Sequence, residues 1–387
     1  MTGMMGTRML GSFVVLLAGS LTANPVIFLH GWNSDSGIWK DLRGLLVSDA
    51  GYAGEDLYAL NYYASKNSDS SCTISTDIRT VAAFVAREIE TFYAERGGTQ
   101  AVDLVCHSMG GLVARSVLAQ GLVERAHLRR IVTLATPHFG QDATISYQAQ
   151  QMKYGSLFLW ELAEAWQFNW KNNRETLCVA GIADKTNGSY WDELIHCWSA
   201  ALPDQPCRYV EKSHTGGGIS SIWFTKPIIY KCDDGVSDDV YRLVKSFLLT
   251  GRVLDQGELT YKKPPAAIAA TGGFFYQIVR TDRTPVAYAS SKSKLVTPFT
   301  REDTGATVTP DYYEHGYEDE AQQKGVEFIF GTLPVAPYTL RVTASASTEA
   351  FSVTNVPVRP GQVTIARLRA DGKAQMEPPR LSVLIID

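Results

Sequence analysis

Apolar residues recur at helical spacing in several segments of the chain, and between those segments they form short continuous runs. The longest helical pattern consists of Ile74, Ile78, Val81, Val85, Ile89 and Phe92, at intervals of three or four residues. This spacing predicts a long amphipathic helix with Thr73 or Ser75 near its N-cap. Residues 38–46 carry a shorter pattern of the same kind and predict an earlier helix.

The continuous apolar runs have the length of buried strands. They are residues 26–29, 57–62, 176–182 and 208–210, together with the runs that begin at Ala101 and Ile131. Because strands alternate with helices, the pattern predicts right-handed crossovers and a mostly parallel sheet with flanking helices. Ser237 opens the last of these helices, which ends at Gly251.

The pattern changes after this last helix. Residues 262–265 read Lys-Lys-Pro-Pro, which is typical of a linker, and from Val326 to Ile365 apolar and polar residues alternate between Pro and Gly turns. Alternation with a period of two predicts short strands. We therefore expect an α/β domain over residues 24–251 and a β-sandwich domain over residues 266–387.

Composition agrees with this division and narrows the choice of partners. A chain of 387 residues is long enough for two domains, and its hydrophobic content of 45% is sufficient for a full core. The formal net charge is −4. Such a near balance provides no large basic surface, so we expect no nucleic-acid partner.

The first 23 residues have the form of a signal peptide. Arg8 is followed by an uncharged stretch from Met9 to Leu21 and then by Thr22 and Ala23. This stretch is shorter than the roughly 20 residues that a membrane-spanning helix requires. The prediction is a secreted or extracytoplasmic protein, and a cytoplasmic one if residues 13–17 instead form a strand.

Cysteine use leaves the number of disulfides open. Six cysteines, at positions 72, 106, 178, 197, 207 and 232, permit up to three disulfides. No pair has the Cys-x-x-Cys spacing of a zinc site, so we predict no structural metal. Cys106 lies two residues before Ser108, and we expect it to be a buried free thiol.

The chemistry centres on residues 101–118, where an apolar strand runs into a helix through His107, Ser108, Met109 and two glycines. A sharp strand-to-helix turn places a serine in a strained backbone conformation with its hydroxyl presented above the helix N-terminus. The turn requires small residues two positions on either side. Gly110 meets this requirement downstream, and upstream Cys106 stands where glycine is usual. Ser108 is therefore the predicted nucleophile.

Three motifs in order resemble the α/β-hydrolase lipase and esterase family. They are Pro25–Trp32, with its His-Gly-Trp loop; His107–Gly111; and Ile131–Gly140, with its Thr-Pro-His turn. The resemblance covers residues 24 to about 250 and implies an α/β-hydrolase fold. Separately, residues 328–342 are similar to the carboxypeptidase-regulatory or transthyretin-like β-sandwich.

After Gly140, the last residue of the third motif, lies a segment that is apolar on most sides of a helix. Residues 147–170 include seven aromatic residues, among them Trp160 and Trp166, and no single narrow helical stripe contains all the apolar positions. Such a helix must be covered by protein, substrate or lipid. We expect a cap over the active site at about residues 144–175, and the alternative is an ordinary buried helix of the sheet layer.

A serine hydroxyl becomes a nucleophile when a histidine removes its proton and a carboxylate holds that histidine in the right tautomer. In this fold the order along the chain is serine, acid, histidine. His214 follows a short strand and precedes the last helix, where the resemblance implies the base. Thr215 and three glycines follow it and form a loop suited to presenting the ring.

Several aspartates compete for the role of the acid. Asp184 comes just after the strand 176–182, as the resemblance implies, and Asp192 is the alternative. Asp234 resembles the acid of some bacterial lipases, but it follows His214 and serves only if His315 is the base. The preferred set is Ser108, Asp184 and His214, and the rival pair is Asp234 with His315.

The oxyanion requires two backbone N–H donors. The resemblance implies Met109 and Trp32, with His30 bracing the oxyanion loop and His107 and His138 supporting the turn. The combined prediction is a serine hydrolase that cleaves carboxylic esters, with lipid esters at a lipid–water interface as substrates and no cofactor. A lipid thioesterase or acyltransferase would use the same residues, and an inactive binding protein of the same fold is the alternative from another class.

Overall fold

The computed structural model describes residues 23–66, 70–143, 145–154, 156–165, 175–183, 190–203, 205–215, 227–263, 266–280, 296–308, 313–319, 324–343, 350–360 and 363–370. The signal-peptide segment lies outside these ranges except for Ala23. The signal peptide and the secreted location therefore stay predictions.

Six parallel strands form the central sheet. They are β1 (Val26–Leu29), β2 (Leu57–Leu60), β3 (Val102–His107), β4 (Leu128–Leu134), β5 (Glu175–Gly181) and β6 (Cys207–Val210). Their order across the sheet is β2-β1-β3-β4-β5-β6, and every neighbouring pair is parallel. The mostly parallel sheet predicted from the alternation of strands and helices is confirmed.

Helices cover both faces of this sheet. They are α1 (Lys40–Ser48), α2 (Ile78–Glu95), α3 (Met109–Ala119), α4 (Tyr147–Gln151), α5 (Leu157–Ala165) and α6 (Asp239–Thr250). Alternate residues of β1 point to opposite faces: Ile27 and Leu29 pack with α2 and α3, whereas Val26 and Phe28 pack with α1 and α6. The sheet is therefore buried between two layers of helix.

The helix α2 begins later than its apolar spacing suggested. Its N-cap is Asp77, whose Oδ1 accepts from the backbone N–H of Arg79 at 2.7 Å. Thr73 lies in the preceding turn, where its N–H donates to Thr76 Oγ1 at 2.8 Å. The N-cap is therefore four residues after Thr73, and Ile74 lies outside the helix at 37% exposure.

The segment predicted to form a cap is described in part. In α5, Phe158, Leu159 and Leu162 join the core formed with α2 and α3, while Trp160 packs in a separate cluster that includes Phe139. The described part of α5 is therefore buried on two sides, as expected of a helix that is apolar all round. Residues 166–174 lie outside the described ranges, so a cap over the active site stays a prediction.

Two arginines at the start of β4 bind the C-terminal end of α6. Arg129 Nη2 and Arg130 Nη1 each donate to the carbonyl oxygen of Leu248 at 2.8 Å. The buried Asp103 accepts from Arg129 Nε at 2.9 Å and from the N–H of Arg130 at 3.0 Å. These contacts satisfy a terminal carbonyl and place positive charge at the negative end of the helix dipole.

After α6 the chain enters a short helix, α7 (Ala266–Ala270), and eight further strands. These are β7 (Thr271–Arg280), β8 (Val296–Arg301), β9 (Thr307–Val308), β10 (Tyr313–Asp319), β11 (Lys324–Pro334), β12 (Ala336–Thr343), β13 (Ala350–Val358) and β14 (Val363–Ala370). They form one four-stranded sheet in the order β10-β11-β7-β14 and a second in the order β13-β12-β8-β9. The C-terminal part is thus an additional β region, and its packing as a sandwich stays a prediction.

All six cysteines lie in described residues, and each is a free thiol. Cys106 is fully buried beneath the strand-to-helix turn. None of the described helices has the length and apolar character needed to cross a membrane.

Candidate active site

Ser108 stands at the sharp turn between β3 and α3. Its φ of 52° and ψ of −126° lie in a region that side-chain-bearing residues rarely adopt, which costs about 1–3 kcal/mol. The surrounding packing holds this conformation, because the Ser108 N–H donates to the carbonyl oxygen of Leu134 at 2.9 Å and its own carbonyl accepts from Gly111 at 3.1 Å. The local pattern that predicted the turn is therefore matched by its backbone geometry.

Small residues around the turn let three backbone segments meet. A β-carbon on Gly110 would lie 2.4 Å from the carbonyl oxygen of Leu29, at the end of β1. No real β-carbon approaches so closely, so glycine is required at this position. Two residues before the serine, Cys106 occupies the position where glycine is usual, and its side chain is accommodated in the core with α2 and α3. Burial raises the pKa of the Cys106 thiol, so it stays protonated near neutral pH.

A chain of hydrogen bonds joins the serine to a buried histidine and a buried aspartate. His214 Nε2 lies 2.9 Å from Ser108 Oγ, and His214 Nδ1 lies 2.8 Å from Asp192 Oδ2. A carboxylate can only accept, so Nδ1 carries the proton and Nε2 is left to accept from the serine hydroxyl. All three side chains are buried: the exposed fractions of Ser108, His214 and Asp192 are 6%, 2% and 1%.

The second oxygen of the Asp192 carboxylate is also bound. Oδ1 accepts from the N–H of Leu194 at 3.1 Å and from that of Ile195 at 2.7 Å. The backbone adds a further bond, from the His214 N–H to the carbonyl oxygen of Asp192 at 2.8 Å. Backbone donors to a carboxylate fix its orientation.

The acid that binds His214 in this geometry is not the one preferred in the sequence analysis. Asp184 lies outside the described residues, and the Nδ1–H of His214 donates to Asp192, the alternative acid of the sequence analysis. Asp234 is exposed and precedes a short helical turn at Gly235–Ser237. His315 lies in β10, opposite Ile329 of β11. The structure therefore brings together Ser108, His214 and Asp192.

The two segments that carry the predicted oxyanion donors, Met109 and Trp32, lie next to Ser108. Met109 is the first residue of α3 and follows Ser108 directly. On the other side, a β-carbon on Gly31 would lie 3.0 Å from Ser108 Cβ, so the loop that leads into Trp32 runs against the serine. His30 supports this loop: its Nδ1 is 2.8 Å from the Gly31 carbonyl oxygen, and its ring stacks on Tyr62 with centroids 3.9 Å apart.

Two further histidines surround the turn in a neutral state. The ring of His107 lies 4.8 Å from that of His214 and 4.8 Å from that of Tyr230, measured between centroids. Burial, followed by the charges of His214 and His30, holds the pKa of His107 well below its usual range. Burial and the nearby Arg115 do the same to the pKa of His138, whose Nε2 lies 3.2 Å from Thr133 Oγ1.

The sequence and the structure were compared with known protein families and solved structures. Residues 20–204 match the family of the PGAP1-like alpha/beta domain. No curated protein matches the chain by sequence. Phospholipase PlaB from Legionella pneumophila has a similar structure, with a TM-score of 0.62 at 13% identity over 92% of this chain and 98% of its own.

The same Legionella phospholipase in complex with thio-NAD gives a TM-score of 0.62 at 12% identity, over 93% of this chain and 98% of its own. The mature lipase BlEst2 from Bacillus licheniformis is less similar, with a TM-score of 0.38 at 17% identity over 48% of this chain and 82% of its own. The six-stranded parallel sheet, its flanking helices and the likeness to PlaB together identify an α/β-hydrolase fold with an additional β region at its C-terminal end.

Proposed function

We propose that the protein is a serine hydrolase that cleaves carboxylic esters of lipids. The observation that carries the proposal is the continuous chain of hydrogen bonds from Ser108 Oγ through His214 to Asp192. An alternative role, in which Ser108 only caps α3, does not account for this arrangement. It leaves unexplained why a strained serine, a histidine that follows β6 and a buried carboxylate lie at hydrogen-bond distances from one another.

The geometry supports a two-step reaction. His214 Nε2 takes the hydroxyl proton as Ser108 Oγ attacks the ester carbonyl carbon, and Asp192 stabilises the imidazolium that forms. The tetrahedral intermediate then expels the alcohol, which receives the proton from His214 as the acyl-enzyme forms. Water adds to the acyl carbonyl with its proton passing to His214, and collapse releases the carboxylic acid and returns the proton to Ser108.

The developing oxyanion requires donors that are already in place. The N–H groups of Met109 and Trp32 are the proposed pair, since Met109 opens α3 and the loop before Trp32 packs on Ser108. Loss of one such donor costs about 10²–10³ in kcat in a serine hydrolase. The packing of Gly31 against Ser108 supports this pair, because it brings the loop that leads into Trp32 close to Met109.

Lipid esters are the proposed substrates because apolar side chains are exposed at the start of α4, a helix that is linked through Tyr63 to Met109. The Tyr63 hydroxyl donates to Gln148 Oε1 at 2.7 Å and lies 3.9 Å from Met109 Sδ, so α4 is connected to the proposed oxyanion residues. Ile145, two residues before α4, and Tyr147, its first residue, are 77% and 46% exposed. The name of PlaB, a phospholipase, points to the same substrate class.

The test combines an active-site probe with a series of esters. The full-length protein should be labelled by a fluorophosphonate at Ser108, and p-nitrophenyl esters of increasing acyl length should show a preference for long chains. Ser108→Ala is the matched control and should lose both labelling and turnover while its folding is unchanged. An unlabelled wild-type protein with no esterase activity would refute the proposal and favour an inactive binding protein.

A further inference from the structure

Glu193, the residue next to Asp192, has a strained backbone and a buried side chain. Its φ is 89°, in the left-handed region that favours glycine, and its exposed fraction is 4%. A glutamate is poorly suited to either condition. Strain of this kind persists where the surrounding structure requires that particular side chain.

The side chain of Glu193 binds the residue that follows His214. Its Oε1 accepts from the backbone N–H of Thr215 at 2.6 Å and from Thr215 Oγ1 at 2.9 Å. One residue earlier, Asp192 binds His214 both through the imidazole and through the backbone. Residues 192 and 193 are therefore attached side by side to residues 214 and 215.

We propose that Glu193 is a positioning residue for the base, and this inference rests on the proposed hydrolase function. The two bonds between Asp192 and His214 hold the ring and the backbone N–H, but they leave the chain after His214 free to turn. Fixing Thr215 with two bonds to a charged acceptor removes that freedom, and such bonds are stronger than those between neutral groups. Glu193 thereby keeps His214 Nε2 directed at Ser108 Oγ without contacting the substrate.

The hydrogen bonds of Glu193 and its charge can be separated by substitution. Burial raises the pKa of Tyr230 most, and the Glu193 carboxylate raises it further. The ring of Tyr230 packs edge-on against that of His107. Glu193→Gln retains an amide oxygen that can accept both bonds from Thr215 but removes the charge. Because the inference concerns position, we expect Glu193→Gln to keep most of the wild-type kcat.

Glu193→Gly is the sharper variant because it relieves the positive φ. Glycine adopts that conformation without strain, so the melting temperature should be unchanged or higher, while the contact with Thr215 is lost. Misplacement of a catalytic group by a fraction of an ångström to 1 Å costs up to about 10²-fold. We therefore expect kcat to fall by about 10- to 100-fold with KM unchanged, since the group that is misplaced is not one that binds substrate.

Substitution at the partner tests the same contact without altering the strained residue. Thr215→Val removes the hydroxyl donor but keeps the N–H, and should lower kcat partially, whereas Thr215→Ser should retain the wild-type value. In a double-mutant cycle, Thr215→Val should have no further effect in the Glu193→Gly background. Additive losses of kcat would contradict a shared function.

Fluorophosphonate labelling of the wild-type protein distinguishes a failure of the positioning role from a failure of the proposed hydrolase function. If the wild-type protein is labelled and Glu193→Gly keeps the wild-type kcat, the positioning role is wrong and the proposed hydrolase stands. If the wild-type protein is neither labelled nor active, the proposed function falls and the positioning role with it. A folded, labelled wild-type protein with a slow, thermally stable Glu193→Gly variant is the result we expect.

Discussion

Asp192 packs against Gly181 at the carboxyl end of β5. A β-carbon on this glycine would lie 2.8 Å from Asp192 Cβ and 2.7 Å from the carbonyl oxygen of Lys212. The absence of a side chain at position 181 therefore allows the loop that holds Asp192 and the segment that leads to His214 to meet over the end of one strand.

We expect Gly181→Ala to disturb this meeting point. The added methyl group must displace backbone on one side or the Asp192 loop on the other, so kcat should fall by roughly 100-fold, the cost of about 1 Å of misplacement. Gly44→Ala is the control, because nothing lies within 4 Å of the added atom and position 44 is within α1. It should leave kcat unchanged and raise stability by up to about 1 kcal/mol. Equal kcat values in the two variants would show that position 181 tolerates a side chain.

The proposed acid is separated from its rivals by single substitutions. Asp192→Asn keeps the shape but favours the wrong imidazole tautomer, a change that costs roughly 10⁴ in kcat in a serine protease. Asp184→Asn, Asp234→Asn and His315→Ala should each stay close to the wild-type rate of ester hydrolysis. A dead Asp184→Asn variant with an active Asp192→Asn variant would restore the acid preferred from the sequence.

Local features of the site were predictable from the sequence, and the distant partner of His214 was not. Ser108 and Met109 follow from a strand, a turn and a helix that are contiguous in the chain. Asp192 depends on a loop that returns to the sheet, as the bond from the Ala183 N–H to the Trp191 carbonyl oxygen at 2.8 Å shows. Nothing in the spacing of apolar residues encodes that return, so proximity to the strand end favoured Asp184.

The same distinction applies to the elements. Continuous apolar runs were sufficient to predict the strands of the parallel sheet, because a strand buried on both faces has few polar positions. The start of α2 was placed too early because Ile74 continues the apolar spacing, whereas the end of a helix is decided by its cap, here Asp77. The Glu193–Thr215 contact has no sequence signal at all, because positive φ at a glutamate contradicts its local preference.

A buried ion pair next to the proposed base should contribute strongly to stability. Lys212 Nζ donates to Asp238 Oδ2 at 2.6 Å and to the Lys231 carbonyl oxygen at 2.6 Å, and Asp238 also caps α6. Lys212→Met leaves the Asp238 carboxylate buried without its cation, so the free energy of unfolding should fall by about 3–5 kcal/mol. Urea unfolding followed by circular dichroism measures this change.

A matched control exists on the surface of the same helix. Lys245 Nζ lies 2.6 Å from Asp49 Oδ2, but the two side chains are 33% and 34% exposed. Because solvent screens that pair, Lys245→Met should shift the urea midpoint far less than Lys212→Met. Similar shifts in both variants would mean that burial does not govern the strength of these pairs.

Acid should destabilise the protein through its buried histidines. Burial is the first cause that lowers the pKa of His107, His138 and His196 from the usual value of 6.5, and for His107 and His138 the lowering is large. The native state therefore resists protonation while the unfolded chain takes up protons below about pH 6.5. Because the unfolded state then binds more protons, the free energy of unfolding decreases as the pH falls from 6.5 towards the lowered native pKa values.

The size of this effect can be measured between pH 7.5 and 5.5, where most carboxylates stay ionised. Each histidine that remains neutral in the native state should contribute up to about 1.4 kcal/mol per pH unit below its unfolded pKa. His138→Phe removes one of these groups, so its unfolding free energy should fall less steeply with acid than that of the wild type, whatever its stability at pH 7.5. If the wild-type slope is flat over this range, or if His138→Phe leaves it unchanged, His138 is already protonated in the native state and its contact with Arg115 must be reinterpreted.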